Sequence, residues 1–193
     1  MKIMSVIGPT ERKLGDARFR KNEEAIIKAF FDCDGGRYSV AEIAQRAGID
    51  RATFYRHHKT VYEIMSDCEN ETLAKFSCLL QSLLSREGIS IKAIYYQLLI
   101  FVLKNHDIFV IFIKERRMGV VGDMVQMLIP KIRKEYGLFG DLERVFRAYI
   151  GEIVGLVEEW GENGFKEEEI TSLLNDIMYL TKTIRCRLLP LTN

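Results

Sequence analysis

Between Ser39 and Glu63 the helix start and stop signals are so closely spaced that only short helices fit. Ser39-Val40-Ala41-Glu42 is a capping box: the Ser hydroxyl can accept from the backbone N–H three residues on, and the Glu can reach back to the Ser N–H. Val40, Ile43, Ala44 and Ala47 follow as an apolar face, and Gly48 ends the helix, since Gly tolerates the left-handed conformation found there. Asp50 is suited to N-cap the next short helix, Arg51 to about His57. Thr60-Val61-Tyr62-Glu63 is a second capping box and opens a long helix to about Ser85, with Gly88 beyond it. The predicted arrangement is two short helices joined by a tight turn at Gly48-Ile49, closed off by a longer helix.

Helical periodicity extends to both sides. Upstream, Ile26, Ile27, Phe30 and Phe31 recur at 3–4 spacing and predict a first helix from about Asp16 to Asp34, stopped by Gly35-Gly36. Downstream, Ile89–Asn105 is apolar nearly all round, which predicts a buried helix. Ile108–Ile113 has strand-like composition, but with helical neighbours and no partner strand it is read as helix. A helix over Gly122–Tyr136 should kink or split at Pro130. Two long amphipathic helices close the chain, separated by Asn163-Gly164; Glu167, Glu168 and Glu169 occupy the first turn of the last. The fold class is therefore all-α: an N-terminal three-helix helix-turn-helix unit over 16–66, with its core at 39–58, and a second helical domain over 67–193.

Composition excludes several classes. Only 3 Pro and 14 Gly, with 48% hydrophobic residues, is unlike a disordered or collagen-like chain. The longest apolar runs, Leu98–Leu103 and Ile108–Ile113, are six residues each, against the roughly 20 of a membrane-spanning helix; the expected location is cytoplasmic. Cys33, Cys68, Cys78 and Cys186 lack zinc-site spacing and read as reduced thiols. No nucleophile elbow, phosphate loop, zinc-protease or dinucleotide motif occurs. Neither an enzyme nor a cofactor or metal site is expected. Adjacent His57 and His58 would diverge on a helix, which argues against a metal pair.

Charge is balanced overall, 28 Lys and Arg against 27 Asp and Glu, but residues 1–59 carry 12 basic and 8 acidic residues. That excess points to a polyanion at the N-terminal part. In a helix-turn-helix, the second of the paired helices enters the major groove with small or polar residues outward. Arg51, Ala52, Thr53, Tyr55, Arg56 and His57 fit that role, with Phe54 as the inward anchor. Arg can bond guanine bidentately and Thr can offer a hydroxyl or methyl to a base; Tyr55, Arg56 and Lys59 can reach phosphates. Arg37 and Ser39, just ahead of the pair, complete the expected DNA-binding set.

The stretch Ala25–Met65, AIIKAFFDCDGGRYSVAEIAQRAGIDRATFYRHHKTVYEIM, resembles the DNA-binding domain of the TetR family of regulators. The matching pieces are the apolar first helix, Val40-Ala41-Glu42-Ile43-Ala44, Ala47-Gly48-Ile49, Thr53-Phe54-Tyr55 and Tyr62-Glu63. Gly151–Ile170, GEIVGLVEEWGENGFKEEEI, is similar to a subgroup that includes activators of dihydroxyacetone metabolism. The resemblance implies a homodimeric regulator of double-stranded operator DNA, most commonly a repressor, responsive to a small apolar ligand or a partner protein. It implies a four-helix dimer interface from the last two helices, placed on Tyr149, Ile153, Val157, Ile177, Leu180 and Ile184. A ligand cavity between the central helices would be walled by Phe76, Tyr95, Tyr96, Phe109 and Phe112. The sequence departs from the family pattern at His58, where a buried Phe is usual, and at Val61, where a Lys is common. Both departures leave open an alternative: an adaptor acting through a protein partner.

Overall fold

A computed structural model describes residues 17–33, 39–138 and 142–188, with side chains described through 183. Among the described residues every regular element is helical. The chain divides into two compact units, residues 1–67 and 68–193.

The first unit holds α1 (Ala17–Phe31), α2 (Val40–Arg46), α3 (Arg51–His57) and the start of α4 (Val61–Leu84). Its core is Ile26, Ala29 and Phe30 of α1, Ile43 and Ala44 of α2, Phe54 of α3, and Ile64 and Met65 of α4, all buried. The 3–4 spacing on α1 supplies one apolar stripe, and each seven-residue helix contributes one or two anchors to it. The second capping box differs in detail from its expected form. The Glu63 N–H donates to Thr60 Oγ1, but the Glu63 carboxylate accepts from the N–H of Lys59, one residue further back than the cap.

The second unit comprises the rest of α4, then α5 (Ile91–Lys104), α6 (His106–Lys114), α7 (Gly119–Gln126), α8 (Ile129–Tyr136), α9 (Glu143–Glu162) and α10 (Ile170–Leu188), with a 3-10 turn at Glu167–Glu169 leading into α10. Ile108–Ile113 lies within α6, so the helical reading of this strand-like stretch holds. The Asn105 side chain closes α5 by donating to the Phe101 carbonyl at 2.7 Å, and α6 leaves at a bend of 82°. The segment expected as one helix over 122–136 is split at Met127-Leu128. Pro130 stands in the first turn of α8, where its missing N–H has no intrahelical partner to lose. Among the described residues no single helix is long and apolar enough to cross a membrane; α5 and α6 together pass by composition only as a sharply bent pair. Cys33 and Cys68 are buried and Cys78 is exposed, and none of the three is in a disulfide.

The core of the second unit is mostly apolar, with one polar thread. Tyr95 Oη lies 2.5 Å from Tyr149 Oη, Tyr149 Oη lies 2.8 Å from Thr181 Oγ1, and Thr181 Oγ1 lies 2.7 Å from the Ile177 carbonyl. Only one order of donors satisfies the chain: Thr181 gives its proton to the carbonyl, Tyr149 donates to Thr181, and Tyr95 donates to Tyr149. Burial pushes the Tyr95 hydroxyl well above its ordinary pKa and also raises that of Tyr149, so both stay neutral donors. Tyr149→Phe removes the middle link and leaves Tyr95 with a buried, unanswered hydroxyl. The expected cost is about 1–3 kcal/mol, read as a lower denaturant midpoint at unchanged m-value; an unchanged midpoint would contradict the donor chain.

Candidate nucleic-acid interface

The turn between α2 and α3 is built from its caps. Ser39 Oγ accepts from the Glu42 N–H at 3.2 Å, and Glu42 Oε2 accepts from the Ser39 N–H at 3.0 Å, as the capping box requires. The Ser39 hydroxyl also donates to Glu42 Oε2 at 2.7 Å, and this bond first, then that from the Ser39 N–H, holds the Glu42 carboxyl below its ordinary pKa. Gly48 takes φ +67°, a left-handed value that explains glycine there, and lets the Ile49 N–H bond the Ala44 carbonyl at 3.0 Å. Asp50 then caps α3: Oδ1 accepts from the Thr53 N–H at 2.6 Å and Oδ2 from the Thr53 hydroxyl at 3.1 Å. The backbone bond from Thr53 is the main reason that the Asp50 carboxyl lies below its ordinary pKa.

The outward face of α3 carries Arg51, Ala52, Tyr55 and Arg56, continued by Lys59 just past its end, all exposed. Three of these five are cations and one is an aromatic phenol, a composition suited to phosphate and base edges. Tyr62, at the start of α4, is 81% exposed and was legible in sequence only as part of a family-like pair, not as a surface group.

Two residues expected on that face lie elsewhere. Thr53 is 6% exposed; its hydroxyl donates to Asp50 and accepts from Arg56 Nη2 at 2.7 Å. Thr53 therefore orients the Arg56 guanidinium instead of offering its own hydroxyl. The His57 side chain is 2% exposed and stacks on Phe19, with ring centroids 3.9 Å apart, so His57 belongs to the inner face. Ser39 spends its hydroxyl on the cap, although it remains exposed. Arg37 lies outside the described residues.

His58, in place of the Phe usual in TetR regulators, is 4% exposed. Its Nε2 lies 2.8 Å from Glu23 Oε1, while His57 Nδ1 lies 2.6 Å from Glu23 Oε2. The expected divergence of the two rings is not observed, because His58 is no longer helical: its φ and ψ are −134° and 141°. Burial raises the Glu23 pKa, but hydrogen bonds and charge from His58 and then His57 outweigh it, and the net shift is downward. Nothing near Glu23 in sequence signals this, since its partners are 34 and 35 residues away.

The two residue sets expected in the second unit are placed differently from their readings. Phe76, Phe109 and Phe112 are fully buried; Phe109 packs edge-on against Phe112 at 5.6 Å, and Phe101 bridges Phe76 and Phe109. Tyr95 is committed to Tyr149. Tyr96 is 43% exposed, because neighbours on a helix point about 100° apart and Tyr95 takes the inward place. An open groove of about 520 Å³ is lined by Ile113, Lys114, Arg116, Met118, Gly119, Val154, Glu158 and Glu162, none of them in the expected set. Of the residues assigned to a dimer interface, Tyr149, Ile153, Val157 and Ile177 are buried inside the chain. Leu180 is half-buried, and the side chain of Ile184 lies outside the described residues. Over the described side chains, the apolar faces of α9 and α10 are largely buried within the unit. The residues facing out from α9 include Ala148, Gly151 and Gly155, and Tyr179 of α10 is 71% exposed.

No family model matches the chain, and no curated protein matches it significantly in sequence. Solved structures do match in fold. A TetR-like transcriptional regulator from Rhodococcus sp. RHA1 aligns with TM-score 0.58 at 18% identity, over 86% of this chain and 93% of that one. A Clostridium perfringens protein described as a fatty acid metabolism regulator aligns with TM-score 0.55 at 16% identity, over 86% and 97%. A Mesorhizobium loti protein described as a TetR-family transcriptional regulator aligns with TM-score 0.54 at 16% identity, over 88% and 95%. At these identities the likeness is one of fold: the chain has the all-α fold of TetR-like regulators.

The Glu23 pKa shift carries a prediction. A carboxyl depressed in the folded state adds stability above its unfolded pKa and loses it as pH falls through the folded value. Thermal midpoints of the wild-type chain should fall on acidification through the carboxylate range, and those of Glu23→Gln should fall less. Parallel pH profiles would contradict the assignment.

Proposed function

We propose that the chain is a DNA-binding transcriptional regulator that acts as a homodimer on a two-fold-related operator, with α3 in the major groove. The observation that carries this reading is the exposed stripe of Arg51, Tyr55, Arg56 and Lys59 on a doubly capped helix-turn-helix. Residues 16–66 are then the DNA-binding domain and 67–193 the regulatory and dimerisation domain. Repression is the mode we assign, being the family's commonest, with release by a small apolar ligand. The resemblance of Gly151–Ile170 to the dihydroxyacetone-activator subgroup is the support for a kinship with that subgroup. The adaptor reading loses one of its two motives, because His58 is buried with a carboxylate partner and fills the place of the usual Phe.

The phosphate assignments are tested by salt dependence. Arg56→Ala and Lys59→Ala should each weaken binding to all duplexes and flatten the slope of log affinity against log salt by about 0.9, one phosphate each. Unchanged slopes in both variants would contradict them.

The dimer is assigned to the outward residues of α9 and α10, in place of the buried ones. A Cβ at Gly155 would meet nothing within 4 Å in the single chain, so Gly155→Arg is sterically free in a monomer and obstructive in a dimer packed on this face. Sedimentation should give a wild-type dimer at micromolar concentration and a monomeric Gly155→Arg chain with unchanged helix content. A dimer of equal strength in the variant would move the interface elsewhere.

A further inference from the structure

Both histidines that close α3 are bonded to one carboxylate on another helix. Glu23 sits on α1 with its side chain 30% exposed, between His57 Nδ1 at 2.6 Å and His58 Nε2 at 2.8 Å. Phe19, one turn earlier on the same helix, stacks on the His57 ring with an interplanar angle of 19°. One face of α1 thus fixes both the plane and the edge of His57. His58 reaches the same carboxylate because it leaves the helix in an extended conformation. Its other ring nitrogen, Nδ1, is buried without a hydrogen-bond partner, 3.7 Å from Asp67 Oδ2 of α4. Among the described residues, the bond to Glu23 is therefore the only hydrogen bond of the His58 ring.

We propose that Glu23 is a positioning residue for DNA recognition: by accepting from His57 and His58 together it fixes the end of α3, and with it the angle at which Arg51, Tyr55 and Arg56 are presented. This rests on the DNA-binding reading above. Three observations distinguish it from ordinary packing. Glu23 forms no hydrogen bond or ion pair with the described outward residues, so it acts on DNA through the helix. An ionised carboxylate can only accept, so a proton must sit on His57 Nδ1 and on His58 Nε2, opposite nitrogens in adjacent residues. The titratable groups around the cluster are Glu23 from α1, the two histidines, and Asp67 and Glu63 from α4; neither Asp67 nor Glu63 is hydrogen-bonded to a ring. Among the described residues, Glu23 is the group that ties α1 to His57 and to the His58 cap of α3 through two hydrogen bonds to a charged acceptor, which are among the stronger kinds.

Glu23→Gln tests the proposal at nearly constant shape. An amide offers one acceptor and one donor group, so it can hold only one of the two rings in its present protonation pattern. The full-length chain is used, with a duplex that the wild-type chain selects from random-sequence DNA. Ring ¹⁵N shifts of wild type, measured where the imidazoles are neutral, should show Nδ1 protonated in His57 and Nε2 in His58; the variant should change one of them. Its affinity should fall by about tenfold, as for a helix in the competent orientation a tenth of the time, while the salt slope stays that of wild type because no phosphate contact is lost. A variant that binds the duplex as wild type does would overturn the role of Glu23 alone, as would wild-type shifts with Nε2 protonated in both rings. A well-folded wild-type chain that selects no duplex would overturn the DNA reading itself, and with it this role.

Discussion

Helices of seven residues do not persist in water without help: nucleation is costly and the first N–H groups have no intrahelical partner. Both α2 and α3 are of that length, and the geometry of the outward face of α3 depends on how their ends are satisfied. Ser39 with Glu42 closes the start of one, and Asp50 with Thr53 closes the start of the other. The ends are held differently, by the left-handed Gly48 after α2 and by Glu23 gripping His57 and His58 at the close of α3. Each cap is worth roughly 0.5–2 kcal/mol, a large share of what a small unit can spare. With the ends fixed, Phe54 and Ile43 enter the core and the cationic side of α3 is left facing out.

The same residues that stabilise the unit aim its outer side chains. Thr53 is the clearest case: it closes the Asp50 cap through its N–H and its hydroxyl, and the same oxygen accepts from Arg56. The stability of the cap and the aim of Arg56 are thus coupled at one oxygen atom. The second unit is organised otherwise, by aromatic edge-to-face packing around Phe109 and by the hydroxyl thread from Tyr95 to the Ile177 carbonyl. That thread gives three helices, α5, α9 and α10, a directional link inside an apolar core.

Local signals were read well from sequence and long-range ones were not. The first capping box, the Asp50 cap and the Gly48 stop follow from residues within a few positions of each other, and all three appear as expected. Pro130 marks a divided segment, as its position predicts, but the break lies upstream, since Pro fits the first turn of a helix better than its interior. The identity of the inward face was harder to read. Tyr95 and Tyr96 are equally apolar in sequence, and only packing decides which one is buried. Ile153, Val157 and Ile177, expected at an interface, are buried within the single chain, and the difficulty is the same: an amphipathic face states that it must be covered, not by which chain. Glu23 could not be found, because its partners lie far along the sequence and because His58 leaves the helix that was expected to keep the two rings apart.

The central claim is that α3, presented twice by a dimer, reads one face of a duplex. Chemical footprinting of a duplex selected by the full-length chain tests it most directly. The account predicts two protected major-groove segments related by two-fold symmetry, with centres about 34–36 Å apart, one helical turn. No protection at low salt, or one continuous protected stretch without symmetry, would contradict it.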